Sequence, residues 1–309
     1  MSAVPASPAN WSRLDLERGQ PLDAVPAGRQ AMMRIRDLNK RFGSRHILRG
    51  IDLDVYKGET LVILGGSGSG KTTLIRHIMG FLRSDAGGVT VRCRWDEGGA
   101  EQDLELNSAS DPQMVVWRKR LGVVFQGAAL LNSLTILENV GLPLVEVDRL
   151  PDSAVRPRVI KALKQVFLPA EEILDLKPAN LSGGMRKRVG IARAIIQNPE
   201  ILLYDEPTTG LDPVTVSGVN ELTLELQKTT GVTSIVITHD LAAAFTIADR
   251  IAMLYKGRII ACGSKDAIRA HPHPVLQQLL TGSTIGPLTE GYVSAAPVVP
   301  DAPASGSAP

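Results

Sequence analysis

The sequence contains little cysteine, with Cys93 and Cys262 as its two thiols in 309 residues. So few thiols exclude a disulfide scaffold and a four-ligand structural zinc site. We expect both side chains to be small, buried or half-buried groups of a protein in a reducing compartment.

Long apolar runs are also absent. The longest stretches, such as residues 60–64 and 251–255, are far shorter than the ~18 consecutive apolar residues of a membrane-spanning helix. The N-terminus lacks the basic segment and apolar core of a secretion signal. The sequence therefore predicts a protein of the cytosol, and it leaves docking on a membrane protein open.

Neither sign of charge dominates. The 34 Lys and Arg residues against 32 Asp and Glu give a net charge of +2, so the overall composition does not favour nucleic acid as a partner. Hydrophobic residues make up 44% and charged residues 21%, as in a globular protein with a substantial core. The length allows one large domain or two small ones.

Proline, alanine and serine are concentrated at both ends of the chain. Residues 1–30 contain four prolines and residues 282–309 contain five. Segments of this composition bury too little apolar area to offset the loss of chain entropy on folding. We therefore expect a disordered N-terminal tail, one domain over residues 31–281 and a Pro/Ala-rich C-terminal tail.

The body of the chain alternates strand and helix patterns. Short apolar runs at residues 60–64, 201–204 and 234–238 suit parallel strands that are buried on both faces. Apolar residues at helical spacing follow Lys71 and Gly184, and the second helix should end near Asn198, before a proline. This alternation predicts an α/β fold with a mainly parallel sheet.

Two further stretches depart from the α/β pattern. Residues 89–110 are polar, with short β-like pieces around two glycines, and they predict a small antiparallel appendage. Residues 152–180 follow a mostly helical pattern and predict a helical insertion.

The first chemical motif is a glycine-rich loop at residues 65–72, which reads Gly-Gly-Ser-Gly-Ser-Gly-Lys-Thr and fits G-x-x-x-x-G-K-[ST]. It follows a predicted buried strand and precedes a predicted helix, so backbone amides and the helix N-terminus can bind phosphate. Lys71 can reach the β- and γ-phosphates, and Thr72 can place its hydroxyl on Mg²⁺. The candidate nucleotide-binding residues here are Gly65, Gly66, Ser67, Gly68, Ser69, Gly70, Lys71, Thr72 and Thr73.

Two carboxylates, Asp205 and Glu206, end the apolar run at residues 201–204. On its own, such a pair is usually the start of a solvated loop. Beside a phosphate loop, we expect Asp205 to hold the metal and Glu206 to polarise the attacking water.

A second candidate anion site is the segment Leu-Ser-Gly-Gly at residues 181–184. Ser182 is a good N-cap, and the two glycines leave backbone N–H groups open at the start of a helix. An ordinary capped helix is the plain alternative. If both phosphate sites serve one nucleotide, the simplest arrangement is a head-to-tail dimer. Ser182 of one copy would then face the γ-phosphate bound by the other.

Taken in order, these motifs, with residues 209–212 (Thr-Gly-Leu-Asp) and 238–240 (Thr-His-Asp), resemble an ATP-binding-cassette (ABC) ATPase subunit over residues 33–270. The resemblance implies a P-loop nucleotide-binding domain with a mainly parallel core sheet, an antiparallel β appendage and a helical subdomain at about residues 127–198. It also implies ATP and Mg²⁺ as cofactors and a dimer of two copies.

The resemblance implies roles for individual residues. Lys71, Glu206, His239 and Gln126 match catalytic positions, and His239 is the switch histidine that contacts the γ-phosphate. Thr72, Gln126 and Asp205 match the metal site, while Phe42 matches the aromatic that stacks on adenine. Ser182, Gly183, Gly184 and Asp212 match the residues that act across the dimer interface.

Met185 stands where most such ATPases carry Gln, and this difference points to one subfamily of the ABC ATPases. Residues 181–194, 125–144 and 238–255 are similar to the ATPase of Mla/Mce-type phospholipid transporters. This implies a peripheral ATPase on the cytoplasmic face of the inner membrane, with permease subunits, an Mce-domain lipid-binding protein and a small STAS-type subunit as partners. An ATPase of another importer class and a soluble ABC protein acting on ribosomes or DNA are the alternatives.

Three segments of the sequence each allow two interpretations. The basic run at residues 186–188 is either a solvated helix face or a contact to nucleotide or partner. The apolar residues 127–144 form either a buried linker or a docking groove for a permease helix. The C-terminal tail, with Tyr292 and Val293 as an anchor, either grips a partner or is disordered.

Overall fold

The computed structural model describes residues 22–23, 28–94 and 100–289. The described chain divides into a large compact unit that extends to Ile268 and a small one that begins at Arg269. Most of the predicted N-terminal tail, the end of the chain with Tyr292 and Val293, and the side chain of Cys93 lie outside the described residues. Within the described ranges, no helix combines the length and apolar character needed to cross a bilayer.

A six-stranded sheet forms the centre of the large unit, in the order β10-β9-β3-β8-β7-β6. Neighbouring strands from β9 to β6 run parallel, and β10 pairs with β9 antiparallel. The mainly parallel core sheet predicted from the sequence is therefore confirmed. Its strands are β3 (Thr60–Leu64), β6 (Leu121–Val124), β7 (Ile201–Asp205), β8 (Thr233–Thr238), β9 (Arg250–Tyr255) and β10 (Arg258–Ser264).

Strands β3 and β8 are buried along their whole length, which explains their continuous apolar runs. Their register pairs Leu64 with Thr238, and the next strands pair Ile237 with Asp205 and Tyr204 with Val124. The carboxyl ends of four strands thus lie along one edge of the sheet, where ligands bind in open α/β sheets.

Four of the helices alternate along the chain with strands of this sheet, as in an α/β fold. The phosphate loop leads directly into the helix that begins at Lys71. Gly231, in the left-handed region (φ 67°), ends the helix Pro213–Thr230. The helices are α1 (Lys71–Ile78), α2 (Asp111–Lys119), α7 (Pro213–Thr230) and α8 (Leu241–Ile247).

A second sheet is antiparallel, with strand order β2-β1-β4-β5. Only its last two strands were predicted from the sequence, although residues 51–55 (Ile-Asp-Leu-Asp-Val) of the second strand alternate apolar and polar side chains. Irregular register between Ile35 and Leu38, with Asp37 at φ 42°, interrupts the period of two in the first strand. The strands are β1 (Ala31–Phe42), β2 (Arg45–Tyr56), β4 (Ala86–Arg94) and β5 (Glu101–Glu105).

The helical segment begins at Ile136, before the helical pattern at residues 152–180 and inside the range of about 127–198 that the resemblance implies. Thr135 and Glu138 form a capping box at its start. The last helix of the segment ends at Ile195, and the following turn places Asn198 in the left-handed region (φ 50°) before the proline. The helices are α3 (Ile136–Glu146), α4 (Asp152–Gln165), α5 (Ala170–Ile173), a 3₁₀ turn (Pro178–Asn180) and α6 (Gly183–Ile195).

The apolar stretch at residues 127–144 is mostly a buried linker. Ile136, Val140 and Leu144 are fully buried on α3, whereas Leu131 in the preceding loop is 46% exposed. The buried interpretation therefore holds for the helix, and the loop retains an exposed apolar side chain.

Helix α9 (Lys265–Ala270) spans the boundary between the two units, and α10 (Pro274–Thr281) belongs to the small one. The Gln278 amide donates to the carbonyl of Ser283 (3.1 Å) and accepts from the N–H of Leu288 (2.7 Å). These bonds order residues 282–289, where composition predicts a disordered tail. Near the other terminus, Leu22 N–H donates to the carbonyl of Cys262 (2.8 Å), so the tail prediction also fails at that residue.

Asn139 is fully buried on α3 and fastens the loop before the helix. Its amide donates to the carbonyls of Leu131 (3.0 Å) and Thr135 (2.9 Å), and its oxygen accepts from Leu131 N–H (2.7 Å). We expect Asn139→Ala to lower the free energy of unfolding by about 2–3 kcal/mol, because it leaves these buried backbone groups without a hydrogen-bond partner. Chemical denaturation measures the change, and Asn180→Ala, at an exposed position, is the control. Equal stability of the two variants would contradict this account of the loop.

Candidate active site at the carboxyl edge of the parallel sheet

The glycine-rich loop joins β3 to α1 and depends on two glycines for its shape. Gly68 and Gly70 lie in the left-handed region, at φ 73° and φ 110°. A Cβ at Gly70 would also come within 2.9 Å of the Leu48 side chain, whereas the Cβ positions of Gly66 and Gly68 face open space. The loop therefore leaves room for a ligand beside the N-terminus of α1.

Lys71 extends over this loop. Its ammonium group donates to the carbonyls of Gly65 (2.7 Å) and Gly66 (3.0 Å), and it lies 3.6 Å from a carboxylate oxygen of Glu206. The side chain is 13% exposed, so the cation is held at the loop and not in bulk solvent.

Glu206 follows β7 in an unusual backbone conformation. Its φ is 48°, a left-handed value that costs a residue with a side chain about 1–2 kcal/mol, and its N–H donates to the carbonyl of Ile237 (2.8 Å). This conformation brings its carboxylate to His239 Nδ1 (2.8 Å) and Thr209 Oγ1 (3.3 Å). Lys71, Glu206 and His239 thus form one connected group.

Asp205 ends β7 as a half-buried carboxylate. Burial raises its pKa above the ordinary value, the negative charge of Glu206 raises it further, and Lys71 partly opposes both effects. In the described part of the chain, no donor forms a hydrogen bond to this carboxylate. A bound cation would offset the cost of its charge.

The oxygen donors at this edge fit Mg²⁺ bound together with phosphate. Asp205 offers a carboxylate, Thr72 begins the exposed face of α1, and Gln126 follows β6 next to β7. The described residues contain no cluster of three or more His, Cys, Asp or Glu suited to a metal ion. Mg²⁺ usually relies on one or two protein carboxylates plus substrate phosphates and waters, so this sparse set suits it.

Gln126 has an exposed side chain and a firmly held backbone. Its carbonyl accepts a hydrogen bond from the ammonium group of Lys187 on α6. Lys187 is 6% exposed, and burial lowers its pKa. The solvated-face interpretation of residues 186–188 is therefore wrong for Lys187.

The remaining predicted residues form a second group around the starts of α6 and α7. Ser182 caps α6 by accepting from Met185 N–H (3.2 Å), which confirms its N-cap assignment. Asp212 caps α7 and accepts from the Thr215 hydroxyl (2.6 Å), and a Cβ at Gly184 would meet the Thr215 methyl at 2.7 Å. Thr215 thus fits between the two capped helix starts.

No hydrogen bond or ion pair within the described ranges joins this second group to the first. Ser182 and Asp212 cap two helices that approach each other at Gly184 and Thr215, and Lys71, Glu206 and His239 contact one another. The sequence-predicted residues are therefore present as two separate clusters within one chain.

Phe42 stands at the end of β1, on the antiparallel sheet. Its ring is 47% exposed, and the Lys40 ammonium group lies 5.6 Å from the ring centroid. An exposed ring of this kind can stack on a planar ligand.

Sequence reasoning missed Lys187 and Thr215. The sequence does contain a signal for Lys187, namely helical spacing. Gly190 and Ile191 follow it by three and four residues, so all three lie on the same, buried face of α6. Its basic neighbours concealed that periodicity. Thr215 carries no sequence signal, since its role depends on the approach of Gly184 from another helix.

The parallel sheet, the phosphate loop and the acidic strand end define a P-loop ATPase. The family described as ABC transporter matches residues 48–209, more than half of the sequence. The chain belongs to this ABC transporter family. It is accordingly an ATPase that uses ATP with Mg²⁺.

Several relatives match at similar levels. The sequence is 34% identical to the Arabidopsis thaliana protein TRIGALACTOSYLDIACYLGLYCEROL 3, chloroplastic (83% of this chain, 75% of that protein). It is 38% identical to the methionine import ATP-binding protein MetN of Rhizobium johnstonii (84% and 67%). It is 32% identical to the probable ribonucleotide transport ATP-binding protein mkl of Mycobacterium leprae (82% and 70%).

Solved structures match the fold. One is cbiO1 of Clostridium perfringens, part of the ABC transporter complex cbiONQ, with a TM-score of 0.67 and 31% identity over 78% of this chain and 91% of that one. Another is the ATP-binding cassette MJ0796 as a dimer in a post-hydrolysis state bound to ADP and Pi, with a TM-score of 0.65 and 32% identity over 75% and 98%.

The electrostatics of Asp205 predict a stability change. We expect Asp205→Asn to raise the free energy of unfolding of the nucleotide-free protein by up to about 1 kcal/mol, because it removes a half-buried charge beside Glu206. The native-state pKa lies above the unfolded-state value. Protonation of Asp205 therefore stabilises the fold at low pH, and this stabilisation is lost as the pH rises through the raised pKa.

Denaturation series between about pH 4 and pH 7 test this prediction, with Asp175→Asn at an exposed position as the control. The Asp205 variant should lose part of the pH dependence, and the control should keep it. A less stable Asp205→Asn protein at neutral pH would contradict the assignment of Asp205 as an uncompensated charge.

Proposed function

We propose that the chain is the ATP-hydrolysing subunit of an ABC transporter and works as a head-to-tail dimer on a separate permease. The observation that carries the proposal is the division of the site residues into two clusters. Lys71, Glu206 and His239 form one connected group, and Ser182 and Asp212 lie in another. In a head-to-tail pair each cluster would meet its complement on the other copy. The solved MJ0796 cassette, a dimer, supports this arrangement.

Within one copy, the proposed roles follow from the chemistry of the side chains. Lys71 and the loop amides bind the phosphates, and Thr72, Asp205 and Gln126 hold Mg²⁺. Bound Mg²⁺ stabilises negative charge on the phosphoryl group. Glu206 orients water, and His239 keeps the Glu206 carboxylate in place from 2.8 Å.

The other cluster serves the opposite nucleotide. Ser182, Gly183 and Gly184 present a helix start with open N–H groups, and Asp212 lies beside them at the start of α7. Phe42 would stack on the adenine ring of the nucleotide bound by its own copy.

Turnover should depend on Glu206. We expect Glu206→Gln to lower ATP hydrolysis at least about 100-fold, because an amide cannot take up the proton of the attacking water. ATP binding should persist, and a closed dimer should accumulate with ATP. Steady-state phosphate release and size-exclusion chromatography measure the two effects, with Glu221→Gln on the outer face of α7 as the matched control. Unchanged turnover in the Glu206 variant would refute the role.

We further propose phospholipid as the transported substrate. The Met185 motif and its neighbouring segments resemble Mla/Mce-type ATPases, and the relative whose name contains trigalactosyldiacylglycerol adds support. A methionine importer is the second candidate, because MetN proteins reach 38% identity. In the lipid case the partners would include an Mce-domain protein and a small STAS-type subunit, at the cytoplasmic face of the inner membrane.

Docking on a permease has support from exposed apolar side chains. Phe81 is 57% exposed beneath the Arg118 guanidinium (5.0 Å from the ring centroid), and Val115, one turn earlier on α2, is 51% exposed. Leu131 is a further exposed apolar residue, in the loop before α3. Exposed apolar side chains of this kind favour an interface with another protein.

Purification of the transporter tests the substrate assignment. We expect tagged Glu206→Gln, isolated from native membranes with ATP, to bring along a permease, an Mce-domain protein and bound phospholipid, all identified by mass spectrometry. The same preparation without ATP is the control for non-specific capture. A soluble solute-binding protein in place of the Mce-domain protein would leave the ATPase intact and overturn the lipid assignment.

A further inference from the structure

We propose that Lys187 is a positioning residue that holds the Gln126 loop against helix α6 and so sets the place of the Gln126 amide at the Mg·ATP site. The inference rests on the proposed function, since it deepens the role of Gln126 within that site. It concerns a residue outside the sequence motifs that bind phosphate or metal.

The first support is the burial of a cation without an anionic partner. Lys187 is 6% exposed, and its hydrogen bond within the described residues goes to the carbonyl oxygen of Gln126, 61 positions earlier. The ion pairs of the described chain do not include it. Burying an ammonium group is costly, and an apolar residue of similar length would fill the same space at lower cost. The hydrogen bond to the loop is what distinguishes Lys187 from such a residue.

The second support is the conformation of the loop itself. Ala128 and Ala129 follow Gln126 and Gly127 with φ values of 60° and 47°, two consecutive alanines in the left-handed region. Each costs about 1–2 kcal/mol, so other contacts must hold this backbone. Arg193 of α6 supplies two, by donating to the carbonyls of Ala128 (2.7 Å) and Ala129 (2.8 Å).

Close packing completes the attachment. Gly190 lies between the two basic residues on α6, and a Cβ at that position would come within 3.1 Å of the Ala128 Cβ. The helix therefore touches the loop at its centre and binds it on both sides. Since α6 begins at Ser182 and Gly183, one rigid element carries both the second cluster of the site and the holder of Gln126.

Two substitutions of Lys187 distinguish a residue that only fills space from one that positions the loop. Lys187→Met keeps the length and apolar stem but removes the donor, and Lys187→Arg keeps a donor. Lys177→Met, at an exposed position in the same segment, is the matched control. If the residue only fills space, Met should serve as well as Lys.

The experiment measures three properties of the full chain. We expect Lys187→Met to raise the Mg²⁺ concentration for half-maximal ATPase activity at least about tenfold, the usual effect of removing a group that orients a metal ligand. Amide hydrogen exchange of residues 126–130 should become faster in the nucleotide-free protein. ATP affinity without Mg²⁺ should stay within about twofold, because the phosphate loop is untouched. Lys187→Arg should return both the Mg²⁺ requirement and the exchange rate of residues 126–130 most of the way to their wild-type values. Lys177→Met should behave as wild type.

Two outcomes would overturn the proposal. One is wild-type Mg²⁺ dependence and exchange in Lys187→Met, and the other is equal impairment of Lys187→Met and Lys187→Arg. If Lys187→Met does not fold, Lys187→Leu, which also lacks a hydrogen-bond donor, replaces it with the same expectations. In a Gln126→Ala background, Lys187→Met should add no further change in Mg²⁺ dependence.

Failure of this inference is distinguishable from failure of the proposed function. A wild-type chain without ATPase activity would refute the function, while hydrogen exchange would still decide whether Lys187 holds the loop. An active wild-type chain with an unaffected Lys187→Met variant would refute the inference alone.

Discussion

One geometric constraint underlies the site: the parallel strands of the central sheet end along a common edge. Register pairs Leu64 with Thr238 and Ile237 with Asp205, so the segments that follow these strands start side by side. The side chains of Lys71, Glu206 and His239 meet for that reason, although they are far apart in sequence. The left-handed backbone at Glu206 is the local cost of aiming its carboxylate at this meeting point.

The second constraint is that one chain holds the candidate site residues in two clusters. Helix α6 begins with Ser182 in one cluster and reaches the loop of Gln126 with Lys187. In the proposed head-to-tail dimer, the same helix would connect the residues offered to a partner copy with those around the chain's own nucleotide. A rigid helix with contacts at both ends is a physical means of relating the two halves of a shared site.

Much of this could be predicted from sequence, because the central strands are buried on both faces and the phosphate loop has a characteristic spacing. The full first strand of the antiparallel sheet could not, since the irregular register around Asp37 breaks its alternation. The second strand was overlooked, although residues 51–55 alternate apolar and polar side chains. Lys187 was hidden by the basic residues on either side, and Thr215 by its dependence on Gly184 of another helix. Local patterns indicate elements and motifs, whereas contacts between distant segments require the fold.

The central claim is that each nucleotide is shared by two copies, and mixing defective variants tests it most directly. Lys71→Ala and Ser182→Ala disable opposite halves of the shared site. When the two inactive proteins are mixed, the account predicts that ATPase activity returns to about a quarter of the wild-type value, because half of the dimers are mixed and each holds one intact site. Activity no higher than the sum of the separate variants would contradict the shared site.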